Sequence, residues 1–251
     1  TLSVDGARFL RACVQAKLSI VFAGVPGAGK TTLLSCCAAE LDPSLRVVIA
    51  EEVFEADVPL PNVASMQTRG PRPDRPGIDL RQLVSGFLRM APDVAIVGEV
   101  RDREALPLMM TLSSGVAGFT TIHAGSARQA LTRLRFVCQL ADTTSDIPMA
   151  ALNDLVSQAV DVVVHSIRTA HGPRVSQIAC VEDLASGAGG TSFTMTEVFR
   201  RDPGSGVLAW TGHVPSRARM EMADAGIDLR TLLPAEAPTP LPPFDERMDL
   251  S

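Results

Sequence analysis

The sequence predicts an α/β fold, with a small antiparallel β region and a closing helix toward its C-terminal end. Three observations carry that expectation. A glycine-rich segment, GVPGAGKTT (Gly24 to Thr32), joins an apolar run, LSIVFAG (Leu18 to Gly24), to a stretch rich in Leu, Ala and Cys (Leu33 to Glu40); the three read as buried strand, loop and helix. Short apolar runs then alternate with amphipathic stretches as far as residue 140, as in a sheet with helices between its strands. Finally, 251 residues with 46% apolar side chains suffice for one large domain, or for a core with a small appendage.

The loop carries specific chemistry. Gly24, Gly27 and Gly29 let the backbone turn tightly with N–H groups pointing inward, so that it wraps an anion. The helix that follows offers its unpaired N–H groups and positive end to the same anion. The expected nucleotide-binding residues are therefore Gly24, Val25, Pro26, Gly27, Ala28, Gly29, Lys30, Thr31 and Thr32. Lys30 would reach the β- and γ-phosphates, and the Thr31 hydroxyl would take a Mg²⁺ position. Of the 23 basic side chains only Lys17 and Lys30 are lysines, so lysine is kept where a compact ammonium fits and a planar fork does not.

Composition narrows the function classes. A net charge of −5 gives no electrostatic footprint for nucleic acid or an anionic membrane. With 4% aromatic residues, no tyrosine and one tryptophan (Trp210), stacking on single strands is disfavoured. No apolar run approaches membrane-spanning length and no signal peptide is visible, so we expect a soluble, cytoplasmic chain. The five cysteines contain no C-x-x-C pair and read as small core residues in a reducing compartment. The first residue is Thr1, which leads us to expect a piece of a longer protein.

In chain order, residues 5 to 17 put Phe9, Leu10, Cys13 and Val14 on one helical face, with Asp5 as expected N-cap. RVVIAEE (Arg46 to Glu52) reads as a second buried strand ending in carboxylates, where open parallel sheets place ligands. Glu51, Glu52 and Glu55 cluster there; they read either as a water-activating base or indirect metal ligand, or as a solvated strand end. NVASMQTR (Asn62 to Arg69) is a further strand, and GPRPDRPG (Gly70 to Gly77) a basic, turn-rich loop. DLRQLVSGFLRMA (Asp79 to Ala91) is expected to be one helix capped by Asp79, burying Leu80, Leu83, Val84, Phe87 and Leu88. Arg81 and Arg89 lie off that stripe, either solvated or placed to stabilise transition-state charge.

VAIVGEVRD (Val94 to Asp102) is an apolar strand closing on Gly98-Glu99. A strand ending in an acid downstream of a phosphate-binding loop suits a residue that polarises the lytic water or holds Mg²⁺ through water. Gly98 stands where the generic pattern has aspartate. DREALPLMMTLSSG (Asp102 to Gly115) reads as a helix capped by Asp102, with a possible kink at Pro107. FTTIHAGS (Phe119 to Ser126) is a strand with His123 near its end, either a structural residue or a γ-phosphate sensor, and Ser126 caps the next helix. Beyond residue 141, MAALNDLVSQAV reads as a helix, and VDVVVHSIR, RVSQIACVEDLA, FTMTEVFRR and GVLAWTG as an antiparallel meander. PSRARMEMADAG (Pro215 to Gly226) is the closing helix, with Gly226 as its C-cap. We expect a core at 1–145, a helix and β-meander region at 146–232, and a Pro-rich, disordered tail at 233–251.

Taken together, GVPGAGKTT, AEEVFE (Ala50 to Glu55), LRMAPDVAIVGEVRDREA (Leu88 to Ala105) and GFTTIHAGSARQALTRL (Gly118 to Leu134) resemble the Walker A, Asp-box, Walker B and His-box motifs of the secretion-superfamily ATPases. That family drives type II and type IV secretion, type IV pili and tight-adherence pili. TGHVPSRARMEMADAGIDL (Thr211 to Leu229) is similar to the C-terminal segment of the tight-adherence branch. The resemblance implies a RecA-like P-loop NTPase core that binds ATP with Mg²⁺ and works as a homo-hexameric ring. The ring would sit at the inner face of the cytoplasmic membrane through a polytopic platform protein, with no direct nucleic-acid partner, and a preceding N-terminal domain would help close its site. It implies Glu51 or Glu52 as general base, Glu99 as Walker B acid, and His123 as the contact to the γ-phosphate or the Mg²⁺-bound water. Thr31 and Glu99 (through water) would hold the metal. Arg69, Arg81, Arg89 and Arg101 sit at the family's arginine positions, some expected to act on a neighbour's nucleotide. Glu52 stands where the family has aspartate, Val116 where it often has a second histidine, and there is no tetracysteine zinc element. Two rival functions remain at this level: a conjugative, DNA-translocating ATPase, and a nucleotide-binding ring without turnover.

Overall fold

The computed structural model describes residues 1–141, 147–183 and 192–233. Helix α1 (Val4–Gln15) leads into β1 (Ile20–Gly24), the glycine-rich loop and α2 (Lys30–Ala38). Then come β2 (Val47–Glu51), β3 (Val63–Gln67), α3 (Leu80–Ser85), a 3-10 turn (Phe87–Met90), β4 (Val94–Val97), α4 (Ala105–Ser113), β5 (Ala117–Ile122) and α5 (Ala127–Ala141). The chain continues with α6 (Met149–Ala159), β6 (Val162–Thr169), β7 (Gly172–Val181), β8 (Met195–Arg201), β9 (Leu208–Trp210), α7 (Ser216–Asp224) and α8 (Leu229–Leu232). The Pro-rich segment from residue 234 onward lies outside the described residues.

Among the described residues all the strands join one nine-stranded sheet in the order β3-β2-β4-β5-β1-β6-β7-β8-β9. Neighbours from β3 through β6 are parallel, and β7, β8 and β9 add on antiparallel. The stretch VDVVVHSIR, expected to open an antiparallel meander, therefore has two roles. It is antiparallel to β7 but parallel to β1, in register from Ile20 against Val162 to Gly24 against Ser166.

The parallel strands β1, β2, β4 and β5 are buried along their whole length, which is why they read as unbroken apolar runs. Alternate residues serve opposite faces. Ile20 and Phe22 join Phe9, Cys13, Leu34 and Met222 in the core beneath α1, α2 and α7. Val21 and Ala23 join Leu108, Leu131, Leu152 and Val156 in the core beneath α4, α5 and α6. Phe22 and Phe119 meet edge-to-face at 6.3 Å, so burial and ring geometry both hold β1 to β5. Cys13, Cys37, Cys138 and Cys180 are buried as small core residues, whereas Cys36 is exposed; burial pushes the Cys37 and Cys138 thiols up to about 12.

Helix boundaries depart from expectation where side chains act locally. Ser3, not Asp5, caps α1, its Oγ accepting from Gly6 N at 3.2 Å. Asp79 and Gln82 form a reciprocal capping box on α3. That helix stops at Ser85 and a 3-10 turn follows, so the expected single helix is broken. The change of pitch rotates Leu88 out to 53% exposure while Phe87 stays buried. Helix α4 begins at Ala105 rather than after Asp102, because Glu104 Oε1 accepts from Arg101 N and Asp102 N and closes a turn there. Pro107 then falls in the first helical turn, where its missing N–H is no loss. Ser126 Oγ accepts from Gln129 N at 3.1 Å at the start of α5. Gly226, with φ +78°, follows α7 as a left-handed stop.

Candidate active site

Strand β1 ends at Gly24 and α2 begins at Lys30, so the loop between them projects from the carboxyl end of the sheet. It does so at a switch point: the chain leaving β1 crosses past β5 and β4 to reach β2, while β6 lies on the other side. Such crevices take ligands in open α/β sheets. Gly27 and Gly29 hold φ of +73° and +79°, left-handed conformations that a side chain would strain.

Lys30 is buried to 8% exposure. Its Nζ donates to the Val25 carbonyl at 3.2 Å, which lays the ammonium across the loop, and lies 3.2 Å from His123 Nδ1. Burial lowers the pKa of Lys30, Glu99 and Glu55 oppose that shift, and Arg101 adds to it. An ammonium has no lone pair, so Nδ1 must accept from it, and the imidazole proton then belongs on Nε2. Nε2 faces Glu99 Oε1 at 2.8 Å. The Gly24 carbonyl also stands 3.2 Å from Nδ1 and could accept only from a ring carrying its proton there, so donation by Lys30 and donation to Gly24 exclude each other at Nδ1.

Glu99 follows the end of β4. Its Oε2 pairs with Arg101 Nη2 at 2.6 Å, an interaction that raises the Arg101 pKa. Its Oε1 is buried, has no aligned hydrogen-bond donor, and has only the close approach of His123. Glu51 and Glu52 part ways. Glu51 is buried to 3% exposure, and its Oε1 accepts from Glu55 N and Ala56 N at 3.2 and 3.0 Å, holding the turn after β2. Glu52 is exposed and lies 3.6 Å from Arg101 Nη1. Glu55, read from the sequence as clustering with Glu51 and Glu52 at the strand end, comes within 3.5 Å of Thr31 Oγ1 and so belongs to this cluster. A cleft of about 590 Å³ opens beside them, with Thr31, Thr32, Ser35, Glu55 and Asp57 in its wall.

These residues fit a magnesium nucleotide. Among the described residues no group of three or more His, Cys, Asp or Glu side chains could hold a metal ion by itself. Mg²⁺ instead keeps its waters and takes phosphate oxygens with one or two protein oxygens. Thr31 Oγ1 and the buried Glu99 Oε1, approached only by His123, are such oxygens.

The four arginines separate. Arg101 lies inside the cluster, bound to Glu99 and facing Glu52. Arg69 lies past β3, its Nη2 donating to Pro76 O at 3.3 Å while its buried Nε has no partner. Arg81 and Arg89 are exposed on α3 and the 3-10 turn, and no ion pair joins either to the cluster. A residue the sequence did not disclose stands on the other flank. Arg168, near the end of β6, lies beside the loop: a β-carbon on Gly27 would stand 3.0 Å from its Nη1. Its signal in sequence was only a basic residue closing an apolar run, and its meaning depends on β6 pairing with β1.

Residues 2–190 match the type II/IV secretion system protein family. The conjugal transfer protein TrbB of Rhizobium radiobacter is 32% identical over 180 residues, covering 70% of this chain and 52% of that protein. The type IV secretion system protein PtlH of Bordetella pertussis is 35% identical over 159 residues, 62% of this chain and 47% of that one. Among solved structures, the VirB11 ATPase of the Brucella suis type IV secretion system, in complex with sulphate, superposes with a TM-score of 0.62 at 30% identity, covering 69% of this chain and 51% of that one. The Legionella pneumophila ATPase DotB shares the fold, with a TM-score of 0.52 at 16% identity over 78% of this chain and 49% of its own. The chain thus spans about half the length of the relatives it matches.

Proposed function

This chain belongs to the type II/IV secretion system protein family, and we propose that it binds ATP with Mg²⁺ and hydrolyses it as a motor. The observation that carries this reading is the run of contacts from Val25 through Lys30 and His123 to Glu99 and Arg101. It places a cation, an imidazole and a carboxylate in sequence around a loop shaped for phosphate. In the reaction a water oxygen forms a bond to the γ-phosphorus, the bond to the β,γ-bridging oxygen breaks, and ADP and phosphate leave. Such transfer needs positioning and charge neutralisation above all.

Each side chain then has a task. Lys30 neutralises the β- and γ-oxygens. Glu99 orients the attacking water and takes its proton, with Arg101 fixing the carboxylate through Oε2. His123 links the Glu99 carboxylate to Lys30, so that the acid and the phosphate-binding cation move together. Glu52 is the second base candidate, and Glu51 shapes the turn that carries Glu55. Thr31 and, through water, Glu99 would hold Mg²⁺, which when bound would supply charge neutralisation at the phosphates.

The proposal extends to a hexameric ring at the inner face of the cytoplasmic membrane, docked on a polytopic platform protein, that powers pilus assembly or protein secretion. Arg101 is already committed to carboxylates, whereas Arg81 and Arg89 are exposed; these two are the better candidates to act on a neighbour's nucleotide, a contribution of roughly 10³–10⁵ in rate where it occurs. Among the described residues no helix is long and apolar enough to cross a membrane, in keeping with attachment through partners. The likeness of residues 211–229 to the tight-adherence branch supports pilus assembly. The TrbB relative supports a second reading, service in a conjugation system. Phosphate release measured across protein concentration tests the motor: specific activity should climb as copies associate, and Glu99→Gln should bind ATP but not turn it over. Normal turnover by that variant would remove Glu99 from the mechanism, and DNA-stimulated turnover would favour conjugation.

A further inference from the structure

We infer that Arg168 is a nucleotide-binding residue that holds the ribose and α-phosphate end of the nucleotide, across the loop from Glu99 and His123. This rests on the nucleotide reading of the loop and assigns a second wall to it. Strand β6 runs alongside β1 until Gly24 pairs with Ser166; Ile167, Arg168 and Thr169 then continue past the end of β1, beside the loop. A β-carbon built on Gly27 would lie 3.0, 3.7 and 3.9 Å from Nη1, Cζ and Cδ of Arg168, so the outer half of the side chain lies against the loop.

Charge singles it out. Arg101, the other guanidinium beside the loop, is bound to carboxylate. Among the described residues the Arg168 side chain makes neither an ion pair nor a hydrogen bond, although its guanidinium is a planar fork suited to phosphate. Position gives the end of the ligand it meets. In the sheet order the acid of β4 and the histidine of β5 lie on one side of β1 and β6 on the other. The γ-phosphate must sit on the acid side, where the water is activated. The chain of phosphates therefore leads away from the acids, toward β6.

The surroundings are set for this. Thr169 Oγ1 donates to Gly172 O at 2.8 Å and accepts from His171 N at 3.2 Å, which fixes the β6–β7 turn. That turn brings Pro173 to the loop as well: a β-carbon on Gly29 would be 3.1 Å from Pro173 Cβ. A guanidinium beside an apolar ring suits the junction of α-phosphate and sugar.

The test uses the full chain, with fluorescent ADP as probe and ATP and pyrophosphate as competitors. Arg168→Ala should weaken ADP and ATP alike, by about tenfold for one lost charged hydrogen bond, while pyrophosphate, filling only the β,γ positions, competes as before. Arg168→Lys should recover part of the loss. Unchanged ADP and ATP affinity in Arg168→Ala overturns the inference. So does an equal loss for pyrophosphate, which would put the guanidinium on the terminal phosphates. Lys30→Ala separates the two levels: it should lose all three ligands. If the unaltered chain binds none of them, the nucleotide reading itself falls and this inference with it. If only Arg168→Ala is without effect, the inference alone falls.

Discussion

A β-carbon on Gly98 would stand 2.8 Å from Cγ and 2.9 Å from Oε1 of Glu51. The bare backbone at the end of β4 thus makes room for an acid from β2, which a side chain at that position would displace. We expect Gly98→Ala to push Glu51 aside and loosen the turn at Glu55 and Ala56. Overpacking of this kind destabilises by about 1–3 kcal/mol. Thermal melts should show that loss, and phosphate release should fall at least tenfold while ATP binding persists.

Glu51 and Glu52 should respond differently to replacement. Glu51→Ala leaves two backbone N–H groups without their acceptor, at about 1–3 kcal/mol, so both melting temperature and turnover should drop. Glu52→Gln touches only an exposed side chain facing Arg101 and should leave the melting temperature unchanged; a fall in turnover in that variant would identify Glu52 as the base.

Lys30→Ala should remove nucleotide binding without destabilising the fold. Burial holds the Lys30 pKa below its ordinary 10.5, so the unfolded chain binds this proton more readily than the folded one, and the folded state bears the strain of a buried charge through the neutral range. That strain fades as pH climbs toward the ordinary lysine value. Removing the ammonium should give a melting temperature equal to or above that of the parent at pH 7. A clear drop would show that the Val25 contact holds the loop together.

Asp161 offers a pH signature away from the site. It accepts from Ser19 N at 2.7 Å and pairs with Arg217, yet burial, opposed by Arg217, raises its pKa from 3.8 to about 6. A folded-state value above the unfolded one means that the native chain keeps a proton the unfolded chain has released. This group's stabilisation is therefore full below about pH 4 and lost as pH rises through about 6. Melts of the parent and of Asp161→Asn between pH 4 and 7 should differ by a curve that falls from about pH 4 and levels off near 6; a flat difference would show that Arg217 keeps the carboxylate ionised throughout.

What the sequence disclosed was local. The loop from Gly24 to Thr32 announces itself because strand, glycines, lysine and helix adjoin one another. The acids at strand ends and the histidine after β5 were readable as polar residues closing apolar runs, and the structure brings Glu99 and His123 together at Lys30. What stayed hidden depended on distant pairing or on a change of pitch. Leu88 looked buried because one helix was expected where Gly86 allows a 3-10 turn. Glu51 and Glu52 looked equivalent until the backbone after β2 claimed one of them. Strand β6 looked like the first member of a meander, since its partner β1 lies far upstream, and Arg168 could not be assigned a neighbour until that pairing was known.

The irregularity in the β6–β7 register between His165 and Ser166 falls opposite Ala23 and Gly24, where β1 gives way to the loop. Ser166 thus anchors the start of the loop: its carbonyl is packed so close to Gly24 that no β-carbon would fit there. The outer ribbon of β7, β8 and β9 therefore meets the glycine-rich loop at two points, along β6 at Ser166 and directly through Pro173 beside Gly29, so the loop's shape is tied to the antiparallel half of the sheet as well as to the parallel half.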